Sequence, residues 1–319
     1  MPAARSIAAI GVCLCALGCA TTPYRYGDFA GSESDSPHMV SVERGKPHKT
    51  LDRLARIAGW PTRIVPMDRR VNSHDLSPET LDKLTDYLEK NDLTDVRVYV
   101  NHYDPAGQWQ RLRENQMISP LWRYSVGSLS MLGYTLLPNR VFGGDRYNPY
   151  TNSLYLNSDV PAVALDEAAT AKDIRARRFP GTYAAVTELP VINLMRQARA
   201  VSDVLSYARD EEDWEVEKQA YHVLYPRMGA EGATAGASFW SVWWGGPVLG
   251  LGGAAVGHVA GHAVASRREA DLARFNAQAK PLDAAPSMLD DAVQPASFQE
   301  PAAPDRLDDP KLEESSLER

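Results

Sequence analysis

Cysteine is nearly missing from this chain: of 319 residues only three are Cys, and all of them, Cys13, Cys15 and Cys19, fall within the first nineteen. Past that point no intrachain disulfide and no Cys-containing zinc site can be built, however oxidising the surroundings. A basic surplus is missing too. Lysine and arginine number 34 against 41 acids, a net charge of −7, and residues 281–319 hold ten acids against three bases. The rest of the chain is neutral, with 31 of each sign, and offers no field that would gather nucleic acid. No Gly-x-Ser-x-Gly elbow, phosphate-binding loop or dinucleotide fingerprint occurs, which argues against the commoner serine hydrolases and nucleotide-binding proteins.

The amino terminus carries a clear pattern. Arg5 is followed by an uncharged run, Ser6 to Leu17, and then by Ala16-Leu17-Gly18-Cys19. Residues 1–18 read as a signal peptide, too short for the roughly 20 apolar residues of a membrane span. The end of the run resembles a bacterial lipoprotein box. That resemblance implies that Cys19 carries a diacylglycerol and begins the mature chain, in the cell envelope, membrane-anchored, with the folded domain outside the cytoplasm. Ala16 stands where Leu is commoner, so an ordinary cleaved signal is the alternative. Residues 19–50, rich in Ser, Gly, Pro and Thr, predict a flexible tether.

A globular domain is expected over residues 51–228. Leu51, Leu54, Ile57 and Ala58 fit one helical face, and Leu81, Leu84, Tyr87 and Leu88 fit another behind a cap signal at Asp75 and Ser77. Residues 96–100 alternate as a strand, Asp104 to Gly107 reads as a turn, and Trp109 to Asn115 as a helical or irregular connection. Residues 122–137 suit a strand pair or a buried helix. Residues 193–209 and 213–225 predict two further helices.

Residues 145–180 are the most informative. Tyr147 to Asn152 reads as a turn, and Ser153 to Asn157 alternates like a half-buried strand. Ser158 or Asp159 can cap a following helix, and Pro161 suits its first turn. Ala162, Val163, Leu165, Ala169 and Ala171 give that helix an apolar stripe. Lys172, Arg175, Arg177 and Arg178 place positive charge at its C-terminal end, and Pro180-Gly181 closes it. Within it stand Asp166, Glu167, Ala168, Ala169 and Thr170.

In frame and spacing this segment resembles the active-site helix of the zincins, the HExxH zinc proteases, in which two histidines four apart hold one ion and the Glu between them is general base. Asp166 and Thr170 take the histidine positions and Glu167 the base position. The resemblance implies an edge strand beside the helix that binds substrate backbone, and a third metal ligand on a later helix. Glu217 stands for that ligand, with Asp203 and Asp210 as rivals. It also implies a weakened metal site, since Asp is a less usual zinc ligand and Thr a poor one. The plain alternatives are an ordinary buried amphipathic helix and, for Glu217, a solvated helix face.

From Ala233 to Ala265 no residue carries a fixed charge. Its length suits a membrane span, its Gly253, Gly257 and Gly261 form a stripe suited to close helix packing or to an oligomer, and Trp240, Trp243 and Trp244 stand at one end with Arg267, Arg268 and Arg274 beyond the other. The competing expectation is a helix or hairpin folded against the domain. His258 and His262 lie four apart, a metal-pair spacing, but without a Glu between them they are read as neutral imidazoles bonded to a neighbour or facing water. Residues 277–319, rich in Pro and acid, predict a disordered tail.

The sequence thus predicts an α+β, zincin-like domain with a small sheet and several helices, followed by the glycine-rich element and the tail. The function it favours is a non-catalytic, pseudopeptidase-like envelope protein with a binding or scaffolding role. Its partners are the membrane and an envelope protein or peptide, with no nucleic acid, and no cofactor is expected. The alternative is a metal-dependent hydrolase in which Glu167 is general base and Asp166 and Glu217 hold zinc. Labelled fatty acid should enter the wild-type chain and fail to enter Cys19→Ser; equal labelling of the two would exclude acylation at this residue.

Overall fold

The computed structural model describes residues 23–29, 40–45, 63–137, 144–239 and 245–279. The signal peptide, Cys19, the helix expected at 51–58, Trp240, Trp243, Trp244 and the acidic tail from residue 280 lie outside them. The described parts form a mixed α+β fold with a small four-stranded sheet. The chain divides into two units, Met1–Asp271 and Leu272–Arg319. Of the second, the last turns of a helix are described, residues 272–279.

Three sheet strands run parallel, β1 (Val42–Arg44), β2 (Arg97–Val100) and β4 (Ser153–Leu156), and β3 (Arg146–Asn148) pairs antiparallel with β4 at one edge, giving the order β1-β2-β4-β3. Helix α1 (Pro78–Lys90) begins as its sequence predicts, with the Ser77 hydroxyl accepting from the Thr80 N–H and Leu81, Leu84, Tyr87 and Leu88 buried. The expected turn at Asp104 is the cap of α2 (Pro105–Glu114), where the carboxylate accepts from Gly107 N at 3.1 Å. Residues 120–136 are helical, as α3 (Pro120–Trp122), a wide π turn (Arg123–Gly127) and α4 (Ser128–Leu136). Of the two readings open for that stretch, a strand pair or a buried helix, a helix is formed, and it is buried on one side only.

The strand expected at 153–157 is present, but in the sheet interior. All four residues of β4 are buried, because Gln108 Oε1 of α2 accepts from both Ser153 Oγ, at 3.0 Å, and Tyr155 OH, at 2.6 Å. A satisfied hydroxyl lets a serine occupy a buried face, so polar alternation here does not mean exposure. The edge is β3, in a stretch whose residues predict a turn.

Helix α5 (Pro161–Arg175) follows β4 and has eleven of its fifteen residues buried, so it is packed all round rather than along a stripe. Its cap position is Val160, without a side-chain bond. The two expected caps are used elsewhere. Asp159 accepts from Ser77 N at 2.9 Å and from the Thr80 hydroxyl at 2.7 Å, while Ser158 N donates to Asp145 Oδ1 at 2.9 Å. Pro180 does not close this helix; it opens α6 (Pro180–Val186), which leads to α7 (Pro190–Asp210), α8 (Trp214–Gln219), a second π turn (Ala220–Leu224) and α9 (Tyr225–Phe239).

The expected tether is in part folded. Val42–Arg44 forms β1, and in residues 23–29 Tyr24 OH donates to Asn91 Oδ1 at 2.8 Å while Lys172 Nζ donates to Tyr24 OH at 2.9 Å. Two tyrosines and a phenylalanine supply this segment with apolar area that its Ser and Gly content disguises.

Helix α10 (Gly245–Ala279) packs antiparallel on α9 through its glycines. A Cβ on Gly253 would sit 2.1 Å from Gly229 O, one on Gly257 2.4 Å from Tyr225 O, and one on Gly261 2.1 Å from Tyr221 O, so only glycine lets these backbones approach. The stripe that would suit an oligomer contact is therefore used within the chain. The apolar stretch divides into the end of α9 and the start of α10, and lies in the same compact unit as the sheet. Among the described residues one helix, Val248–Gln278, is long and apolar enough to cross a membrane, and 28% of its apolar window is buried.

Gly252 lies on the open side of α10, and a methyl group placed there would meet nothing within 4 Å. Gly253→Ala should cost about 1–3 kcal/mol by overpacking against Gly229. Gly252→Ala should be neutral or gain about 0.5–1 kcal/mol from helix propensity. Thermal melts of the two variants check the assignment, and equal melting points would overturn it.

Candidate functional site

Helix α5 carries Asp166, Glu167 and Thr170 into a space closed by α7 and α9. Arg196 and Gln197 reach it from α7, and Arg227 and Glu231 from α9; the cavity they line is about 30 Å³, room enough for water. Glu167 is buried. Its Oε2 accepts the backbone N–H of Tyr147, on edge strand β3, at 3.0 Å, and its Oε1 lies 3.6 Å from an Nη of Arg227. Thr170 accepts a 2.7 Å hydrogen bond from Arg196, whose other nitrogen donates to Asn193 Oδ1 at 2.7 Å. Gln197 donates to the Glu231 carboxylate. Asp166 Oδ1 and Gln197 Oε1 are closed to solvent and have no hydrogen-bond partner among the described residues.

Three carboxyls face two guanidiniums here. Burial holds the Glu167 and Asp166 carboxyls above the ordinary carboxylate range, and Arg227 and Arg196 pull them back only in part. Retaining a proton on one carboxyl brings the cluster close to neutrality. Burial also works against the Arg227 charge, but Glu167 and Asp166 more than offset it.

The structure thus brings Asp166, Glu167 and Thr170 together and leaves Glu217 out. Glu217 is buried at another place, where its Oε1 meets Arg209 Nε at 2.7 Å, Tyr221 OH at 2.7 Å and Arg268 Nε at 3.3 Å. It is neither beside Asp166 nor on a solvated face; the π turn following α8 and the passing α10 enclose it. The rivals are also engaged, Asp203 with Lys172 at 2.8 Å and Asp210 with Tyr26 OH at 2.6 Å. His258 Nε2 donates to Val65 O at 2.8 Å, and the His262 ring lies tilted 4.3 Å from that of His222. Among the described residues no three His, Cys, Asp or Glu side chains are grouped to hold a metal ion.

Sequence reasoning misses Arg196, Arg227, Glu231 and Gln197. The available signal was charge: two adjacent acids on a helix buried all round require cations from neighbouring helices. Comparison with protein-family models, curated proteins and solved structures gives no match.

Arg227→Met removes charge from a buried acid pair and should cost about 2 kcal/mol or more near pH 8. Most of that loss should return when Glu167→Gln is added, and a cycle without coupling would exclude the pairing. Glu167 holds its proton more tightly folded than unfolded. Its stabilising contribution is therefore full below the ordinary glutamate range and is lost as pH rises towards neutrality. Glu167→Gln should accordingly gain on wild type across that interval in melting curves taken as a function of pH.

Proposed function

We propose that this chain is a membrane-anchored, non-catalytic envelope protein, a pseudopeptidase of zincin descent with a binding or scaffolding role. One observation carries the reading: the carboxylate in the general-base position is occupied, with one oxygen on the Tyr147 N–H and the other facing Arg227. A general base must reach a water or substrate proton, and this one is committed to the fold. The order of antiparallel edge strand, β4 and buried helix supports zincin descent, with β3 in the place of the edge strand.

The donor set does not suit zinc. Asp166 and Thr170 stand where imidazoles are needed, and Glu217 lies outside the cavity. The guanidiniums of Arg196 and Arg227 bring positive charge to the place a cation would take, so compensation of the buried carboxyls comes from arginine. In this reading the former catalytic helix is a structural brace, and the surface around it is what a partner protein or peptide meets.

The purified chain should hold well under one zinc after dialysis, measured by elemental analysis, and should not cleave general peptide substrates. Stoichiometric zinc together with hydrolysis that is lost in Glu167→Gln would overturn the proposal in favour of the hydrolase.

A further inference from the structure

Large apolar side chains are exposed on one run of neighbouring elements. Leu121, Leu129, Leu132 and Leu136 fall on one stripe of α3 and α4, each about half exposed or more, while Gly127, Met131 and Tyr134 of the same stretch face the core. Trp122 Nε1 donates to Thr182 at 3.0 Å, which sets α6 beside this stripe. Phe179, Leu189 and Val191, at the starts of α6 and α7, are more than half exposed. Leu194 of α7 packs on Gly232 of α9, and Thr234 of α9 lies against Gly250 of α10. On α10 the exposed Val248, Leu251 and Val259 take the side opposite the glycine stripe. Clustered apolar exposure is uncommon on monomeric soluble proteins and marks an interaction surface.

We propose that this face rests in the headgroup region of an anionic bilayer, so that the domain lies on the membrane surface and α10 is an interfacial element rather than a span. Charge favours this occupant. Residues 117–137 contain no acid. Arg146, Arg178 and Arg199 are exposed beside the apolar stripe and the α6 and α7 starts. A single acyl chain binds a membrane only marginally, and an apolar face adds the second attachment that stable anchoring needs. The inference rests on the membrane-anchored part of the proposed function. It is independent of whether the Glu167 site is catalytic.

The test uses the purified full chain carrying Cys19→Ser, sedimented with vesicles of phosphatidylcholine alone or mixed with phosphatidylglycerol. Binding to the anionic vesicles is expected, weakened by salt. It should fall about tenfold or more in Leu129→Asp with Leu132→Asp, and likewise in Val248→Asp with Val259→Asp. Tyr26→Ser, a change at an exposed ring bonded to Asp210 at the other end of α7 from Val191, should leave binding intact. Melting curves identify any variant that fails to fold, and Leu121→Asp with Leu136→Asp then replaces it. Absence of vesicle binding, or binding that the paired substitutions leave unchanged, would overturn the proposal. So would a dimer that they dissociate without any vesicle binding, which would assign the face to a second copy, or resistance to carbonate with the tail after residue 280 protected from external protease, which would assign α10 to a span. Fatty-acid labelling at Cys19 is read separately, so loss of the lipid anchor and loss of this face are distinguishable.

Discussion

Two adjacent carboxyls on a helix enclosed on all sides set the terms for much of this molecule. Asp166 and Glu167 cannot reach bulk water freely, and leaving them uncompensated would cost several kcal/mol. Arg196 on α7 and Arg227 on α9 bring the opposing charge, so three helices distant in sequence have one relative arrangement in which the cluster is satisfied. The sheet joins the same constraint through the Tyr147 N–H. Apolar burial makes α5 the centre of the core, while the charges fix how its neighbours sit around it.

What the sequence disclosed followed from periodicity and punctuation. Leu81, Leu84 and Leu88 with the Ser77 cap specify α1, alternation over residues 96–100 specifies β2, and Pro161 marks the first turn of α5. Partnership at a distance was not legible. Ser153 looked like the solvent side of a strand because nothing local reveals that Gln108, 45 residues earlier, accepts its hydroxyl proton. Glu217 looked exposed because Arg209, Tyr221 and Arg268 are collected around it by tertiary structure alone. At the site, the residues on α5 could be found by spacing, whereas Arg196 and Arg227 obey no spacing relative to them and emerge only when helices pack.

The α9–α10 hairpin is stabilised by a different principle. Removing side chains at Gly229, Gly253, Gly257 and Gly261 lets backbones meet, at the cost of helix propensity along both elements. One side of α10 is thereby joined closely to the domain while the other keeps its valines and leucines outward. A segment that composition alone assigns to a membrane has a protein-facing side as well.

The bond from Tyr147 N–H to Glu167 also bears on how the chain survives at high concentration. Strand β3 is an edge of the sheet, and an edge with free backbone donors is a template on which another chain can add a strand. The buried carboxylate fills one of those donors from within, at the midpoint of a three-residue strand. An incoming strand would have to displace that bond before it could continue the ladder. A carboxyl that satisfies a buried donor would then also protect its own sheet from aggregation.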